Sequence, residues 1–226
     1  MQNREHKANS ARRSLPKRFL VIFLRIFFKL LYHQFAWTYD GVACVVSLGA
    51  WQKWVRSLVP YIDSPNVLEI GFGPGHLLVE LSQKGITTFG LDESQQMVKL
   101  AKNRLERKRL PWLIMRGEAQ ALPLADECMY QVVMTFPAEY ILNPTALSET
   151  RRILIKGGKV LILPFAWITG HTPWHRLAAW VNRISGEAPA LDERALDPLK
   201  EAGFAVGWEM KDFGSSEIVL IHLVKQ

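Results

Sequence analysis

The chain has 226 residues, of which 49% are hydrophobic and 22% charged, with a formal net charge of +7 and two cysteines. That length and balance suit one globular domain with an elaboration, large enough to bury a full core. Cys44 and Cys128 lie far apart with no C-x-x-C spacing, which excludes a disulfide framework and a zinc site and fits a reducing cytoplasm.

The charge sits at one end. Residues 1–35 hold eight Lys and Arg against the single acid Glu5, so the whole excess lies there and residues 36–226 balance. The basic character therefore belongs to a short arm and not to the body of the chain. Residues 1–15 read as a disordered basic arm. After Pro16 an apolar run, Phe19 to Tyr32, is interrupted only by Arg25 and Lys29, which share a helical stripe with Arg18. Its fourteen residues span roughly 21 Å as a helix, short of the ~30 Å hydrocarbon core. Arg25 and Lys29 also break the pattern of a signal peptide. Two readings fit this segment: a helix lying in a membrane interface through residues 16–32, or a helix packed over the domain. A second helix is expected from Asp40 to about Val59, with Val42, Val45, Val46, Leu48, Trp51, Trp54 and Val55 on apolar faces. Residues 16–60 thus form an N-terminal helical extension, and 61–226 the main domain.

The main domain opens with Asn66-Val67-Leu68-Glu69-Ile70-Gly71-Phe72-Gly73-Pro74-Gly75-His76-Leu77-Leu78. A short apolar run meets three glycines at alternate positions and passes into a helix-compatible segment. The spacing predicts a buried parallel strand, a turn that visits positive φ, and a helix whose free N–H groups face that turn. A dinucleotide fingerprint needs its third glycine three residues after the second, where this chain has His76. No Gly-Lys-Ser/Thr follows, which excludes a Walker-type loop. Glu69 at the strand's carboxyl end would repel a pyrophosphate and favour a ligand bearing an ammonium group.

Beyond it, strands near 66–70, 87–91, 112–116, 129–135 and 158–163 alternate with helices near 75–84, 94–108 and 145–154, which implies a parallel sheet with right-handed crossovers. A helix from about Asp192 to Ala202 precedes strands near 204–211 and 218–224, whose tight connection at Gly214-Ser215-Ser216 requires antiparallel pairing.

Val67 to Gly75 resembles the first motif of the class I S-adenosylmethionine (SAM)-dependent methyltransferases. Three further stretches agree in order and spacing: Phe89-Gly90-Leu91-Asp92, then Gly117-Glu118-Ala119 with Leu122-Pro123-Leu124, and Glu149 to Leu154 followed by Lys156-Gly157-Gly158-Lys159-Val160-Leu161-Ile162. The match covers about Asn66 to Pro164. It implies an α/β, Rossmann-like fold: a seven-stranded, mostly parallel sheet with a C-terminal antiparallel hairpin and helices on both faces. The piece Phe35 to Asp40 resembles the aromatic-Asp element of quinone and lipid methyltransferases that closes over the cofactor's methionine end; Tyr39 and Trp37 serve equally well as a plug in the helix hairpin.

The resemblance implies a SAM site residue by residue. The backbone of Gly71, Gly73 and Gly75 would admit the methionine end, Glu69 would take the ammonium, and Asp92 both ribose hydroxyls. Met97 would pack on the adenine, although a core role is commoner for such a residue. Glu118 would accept the adenine amino group, where the family more often has Asp, and the Ala119 N–H would face a ring nitrogen. Thr135, closing the fourth strand, completes the cofactor set; no metal or nicotinamide is implied. The following Phe136-Pro137-Ala138-Glu139-Tyr140 lacks the Asn/Asp-Pro-Pro-Tyr/Phe pattern of nucleic-acid amino-methyltransferases, which argues against nucleic acid as partner. Methyl transfer needs alignment above all, and a base only for a nucleophile whose proton has a high pKa. Tyr140, His171 and His175 are candidates for that role, with surface or helix-cap positions as the bland alternative for each His. An insertion at about 165–190, carrying Trp167, Trp174 and Trp180, reads as the wall of an apolar pocket or as a lid packed on the N-terminal helices.

The function expected from these residues is methyl transfer to a small apolar or amphipathic acceptor, quinone-, lipid- or isoprenoid-like. The enzyme would be cytoplasmic, with peripheral contact on the inner face of the membrane. A catalytically silent SAM-binding scaffold and an RNA methyltransferase using the basic arm are the alternatives, the latter marked by binding that falls steeply with salt.

Overall fold

The computed structural model describes residues 47–137, 139–170 and 193–226, with Gly41, Cys44 and Thr172 besides. The basic arm, the apolar helix of residues 16–32, Trp37, Tyr39, His171, His175 and most of the insertion lie outside the described residues.

Strands β1 (Asn66–Ile70), β2 (Thr87–Asp92), β3 (Leu113–Arg116), β4 (Met129–Thr135) and β5 (Leu154–Leu163) are parallel; β6 (Ala166–Ile168), β7 (Phe204–Asp212) and β8 (Ser216–Lys225) complete one sheet. Its order is β3-β2-β1-β4-β5-β8-β6, with β7 on the outer edge of β8. Both β5 and β6 pair antiparallel with the same edge of β8, Ile162 opposite Ile221 and Ala166 opposite Ile218. β6 is therefore β5 resumed after a one-residue bulge at Pro164-Phe165, where proline has no N–H for the ladder. Eight strand segments thus fill the seven expected rows, and the β7–β8 hairpin closes the sheet as anticipated.

Alternation along the strands sends side chains to two covered faces. Leu68 and Ile70 of β1 meet α4 (Pro144–Ile153) and α5 (Asp197–Glu201) through Ala146, Leu147, Ile153 and Leu199. Val67 faces α1 (Trp51–Arg56) and α2 (His76–Gln83) through Trp54, Val55, Leu77 and Leu81. Helix α3 (Gln95–Arg107) lies against α2 through Phe72, Leu78, Ala101 and Leu105. Asn143 caps α4 by accepting from the Thr145 and Ala146 N–H groups, and Pro144 opens it with a preset φ.

Two expectations are corrected. The helix read from Asp40 to Val59 does not run through: residues 47–49 form a turn, Leu48 and Gly49 have φ of 50° and 80°, and α1 starts at Trp51. A helix cannot continue through left-handed residues. The strand read from 158 begins earlier, at Leu154, and Lys156-Gly158 lies inside β5 as an irregularity that places Leu154 opposite Met129 but Lys159 opposite Gln131. Gly157 takes the left-handed conformation that this detour needs, at φ 75°.

Candidate functional site: the carboxyl ends of β1, β2 and β4

The strand order reverses between β1 and β4, and open α/β sheets bind ligands at the carboxyl ends of strands at such a switch point. Gly71, Gly73 and Gly75 all have positive φ, at 72°, 52° and 79°. Three different neighbours explain them. A Cβ on Gly71 would come within 2.5 Å of the Tyr140 hydroxyl, which donates to the Ile70 carbonyl at 3.1 Å. A Cβ on Gly75 would meet the Cβ of Ala101 at 2.8 Å, so this glycine lets α3 close onto the loop. Only Gly73 has open space where a side chain would stand, and its N–H donates to Asp92 Oδ2 at 2.8 Å. The expectation that all three glycines admit a ligand is thus narrowed to Gly73.

A stability test separates these roles. Gly75→Ala combines left-handed strain with overpacking against a helix backbone, worth about 3 kcal/mol together, or roughly 6–12 °C in melting temperature. Gly85→Ala, at the same φ of 79° with nothing within 4 Å, carries the strain alone and should lose about a third as much. Equal losses in thermal melts would show that the Ala101 contact is unimportant.

The two acids behave differently. Asp92 ends β2 at 7% exposure, accepting from the Gly73 N–H and, through Oδ1, from the Ser94 N–H at 2.8 Å. Its carboxylate ties the β1 loop to the start of α3, while Ser94 caps that helix at the Met97 N–H, 3.4 Å away. Both donors are backbone N–H groups, so the carboxylate is held in place at the strand end. Glu69 is 1% exposed on the α1/α2 face of β1. Burial, the dominant cause, pushes its carboxyl up to about 8; the Thr135 hydroxyl, donating to Oε1 at 3.2 Å, opposes this and the nearby Asp92 charge adds to it. Oε2 is buried without a well-formed hydrogen bond, while the Leu78 backbone N–H of α2 also favours the carboxylate. Such an atom is costly unless a ligand completes it, and a cationic donor suits it best.

At the other end, an open cleft of about 680 Å³ lies between the start of α3, Ser94 to Gln96, and Arg116 to Glu118 after β3. Glu118 is exposed along it, while Ala119 is buried behind. The cleft stops short of Glu69. Met97 has 0% exposure and is packed among the core side chains. It sits on the inward stripe of α3 with Ala101 and Leu105, where a helix faces the sheet.

On the side of β4, Thr135 leads into Phe136, whose φ of 48° is uncommon for an aromatic residue. Its ring stacks on Trp51 of α1 at 4.1 Å, and Trp54 donates through Nε1 to Ser216 Oγ at 2.9 Å. Tyr140 and Trp167 pack against the opposite core cluster, with Phe165 edge-on to Trp167 at 4.6 Å. The sequence placed Trp51 on an apolar helix face but not against Phe136, because the positive φ that turns Phe136 toward it leaves no pattern in the sequence. Ser94 was legible, since Asp-x-Ser before a helix is the signature of an Asx turn followed by a cap. Among the described residues no three His, Cys, Asp or Glu side chains gather to hold a metal ion.

A family profile described as a methyltransferase domain matches residues 68–162. Demethylmenaquinone methyltransferase of Renibacterium salmoninarum is 30% identical over 132 residues, covering 57% of this chain and 54% of that protein. The Thermotoga maritima protein of the same description is 24% identical over 221 residues, 86% of this chain and 95% of its own. A solved SAM-dependent methyltransferase of Thermotoga maritima, a possible histamine N-methyltransferase, superposes with a TM-score of 0.58 at 20% identity, over 85% of this chain and 98% of its own; that likeness speaks for the fold. The match with the Renibacterium relative spans little more than half of that protein's length. Over residues 68–162 the chain is thus similar to methyltransferase domains.

Proposed function

We propose that the chain transfers the methyl group of SAM to a quinone-like acceptor. The observation that carries the cofactor reading is the buried Oε2 of Glu69, which makes no well-formed hydrogen bond, on the strand that leads into the open backbone of Gly73. An ammonium completes Glu69, and a ribose diol donates to the carboxylate of Asp92 at the end of β2. Glu118 and the Ala119 N–H read the adenine at the edge of the cleft, and Thr135 holds Glu69 in place. Bound SAM supplies an already activated carbon. The chain's part is to align the acceptor and exclude water, which contributes ~7–11 kcal/mol when geometry is right. Tyr140, Trp167, Tyr39, His171 and His175 remain the candidates for the acceptor side.

The acceptor class rests on relatives described as demethylmenaquinone methyltransferases and on the aromatic character of Trp51, Phe136, Phe165 and Trp167 around the β4 and β5 ends. Incubation with labelled SAM and a demethylated menaquinol in vesicles should yield labelled quinone and S-adenosylhomocysteine in equal amounts. Turnover of SAM with no labelled lipid would remove the acceptor class and leave the cofactor reading standing.

Residues 1–32 hold the enzyme on an anionic membrane on its inner face, where such an acceptor resides. Each base near that surface contributes ~1 kcal/mol within a Debye length, on top of the apolar run Phe19 to Tyr32. Flotation with anionic vesicles at low salt should carry the full chain and leave a chain starting at Phe35 behind. If both float alike, or neither does, the membrane role is wrong and the apolar segment is packed on the domain.

A further inference from the structure

The segment from Gly117 to Asp126 has no regular secondary structure, yet it is held at both ends. The Gly117 N–H donates to the Asp92 carbonyl at 3.1 Å, and the Ala121 N–H to the Glu118 carbonyl at 3.1 Å. At the far end, one side chain of α4 collects the chain. Arg152 donates through Nε to Glu149 Oε1 at 2.7 Å and through Nη2 to Glu149 Oε2 at 2.8 Å. Nη2 also donates to the Leu122 carbonyl at 3.0 Å, and Nη1 to the Leu124 carbonyl at 2.8 Å and to Asp126 Oδ1 at 2.6 Å. Those bonds use all five N–H groups of a guanidinium. Glu149 Oε2 in turn accepts from the Leu122 N–H at 2.9 Å, so both backbone groups of Leu122 are fixed by one ion pair. Ala119 and Leu122 are buried in the core between these anchors.

We infer that Glu149 and Arg152 are positioning residues for cofactor recognition: by clamping Leu122 and Leu124 they hold Glu118 and Ala119 at the geometry that reads the adenine. The inference rests on the SAM reading proposed above. Neither side chain is among the residues lining the cleft. A surface ion pair on its own contributes little to stability, so a clamp that uses every donor of one Arg on one loop points to control of that loop's shape. Lysine cannot replace it. An ammonium has three donors on a flexible stem and cannot span two carbonyls and two carboxylates in one plane.

The test compares S-adenosylhomocysteine with S-inosylhomocysteine, in which the adenine amino group is replaced by oxygen. The wild type should prefer the adenosyl ligand by about tenfold or more in calorimetry. In Arg152→Lys and in Glu149→Gln the adenosyl ligand should weaken roughly tenfold while the inosyl ligand changes little, so the preference collapses. KM for SAM should rise with kcat at saturation unchanged. Asp126→Ala, which removes only the outermost bond, should change affinity less than twofold. Combining Arg152→Lys with Glu118→Ala should weaken binding by clearly less than the product of the two single losses, because both act on the Glu118 contact. If Arg152→Lys fails to fold, Glu149→Gln, which keeps the guanidinium bonds to both carbonyls, decides the matter. A lower melting temperature with an unchanged adenosyl-to-inosyl preference, or additive losses in the double variant, overturns the inference. A wild type that binds neither ligand overturns the cofactor reading beneath it.

Discussion

Glu69→Gln should strengthen the ligand-free protein at high pH while abolishing its response to SAM. Folding raises the Glu69 carboxyl from its ordinary 4.5 to about 8. Below pH 4.5 it is protonated folded or unfolded, and burial costs nothing extra. As pH rises from there, the unfolded chain ionises first and the folded state loses ground, until the folded carboxyl itself ionises near pH 8. The shift corresponds to a loss on the order of 5 kcal/mol across that window. Glutamine has no such titration. Its melting temperature should lie at or below that of the wild type near pH 5, where an amide leaves donors unmet, and above it near pH 8.5. Ligand reverses the ranking. Wild type should release close to one proton on binding SAM near pH 7, seen as a buffer-dependent calorimetric heat, and gain several degrees at saturation. Glu69→Gln should show neither. Parallel pH–melting curves for the two proteins would mean that Glu69 is not the group described here.

The same carboxylate shows how far a sequence reaches. That Glu69 lies in a buried strand was readable from Val67, Leu68 and Ile70 around it, and that a turn at positive φ follows was readable because glycine adopts that conformation most readily. The parallel sheet came from the alternation of strands and helices, and the closing hairpin from the tight connection at Gly214-Ser215-Ser216; the order of the strands is a property of the fold. The reasons for the individual glycines came from neither, since Gly71 answers to Tyr140 and Gly75 to Ala101, partners that only the folded chain brings together. Met97 was ambiguous for a related cause: an apolar residue on a helical stripe looks the same whether it meets the sheet or a ligand. The break at Leu48 and Gly49 was masked by apolar residues that keep helical spacing on both sides. A lone glycine in such a pattern is usually tolerated, and here it marks a reversal. The clamp of Arg152 was invisible because its acceptors are carbonyls, which every sequence supplies.

Asp92→Asn should be nearly as damaging as Asp92→Ala, although it preserves shape. In the native site both carboxylate oxygens already accept backbone N–H groups, Oδ2 from Gly73 and Oδ1 from Ser94, each at 2.8 Å. An amide must turn its NH2 toward one of those two donors, leaving two hydrogens facing each other and one N–H of the loop unmet in a buried setting. That costs about 1–3 kcal/mol in the free protein, or roughly 2–10 °C of melting temperature. The ribose then meets a group with one fewer acceptor and no charge, and charge-assisted bonds contribute about 1.5–3 kcal/mol. Together these predict SAM affinity lower by a hundredfold or more for either substitution, with Gly73 amide exchange accelerated because its partner is gone. Asp92→Glu separates shape from charge. It keeps two acceptors, but the added methylene pushes them into the loop, so it should recover part of the affinity and little of the stability. Titration calorimetry and hydrogen exchange on the three variants provide the check. If Asp92→Asn binds SAM within threefold of the wild type, the carboxylate is holding Gly73 and Ser94 for the fold alone, and the ribose is recognised by other groups.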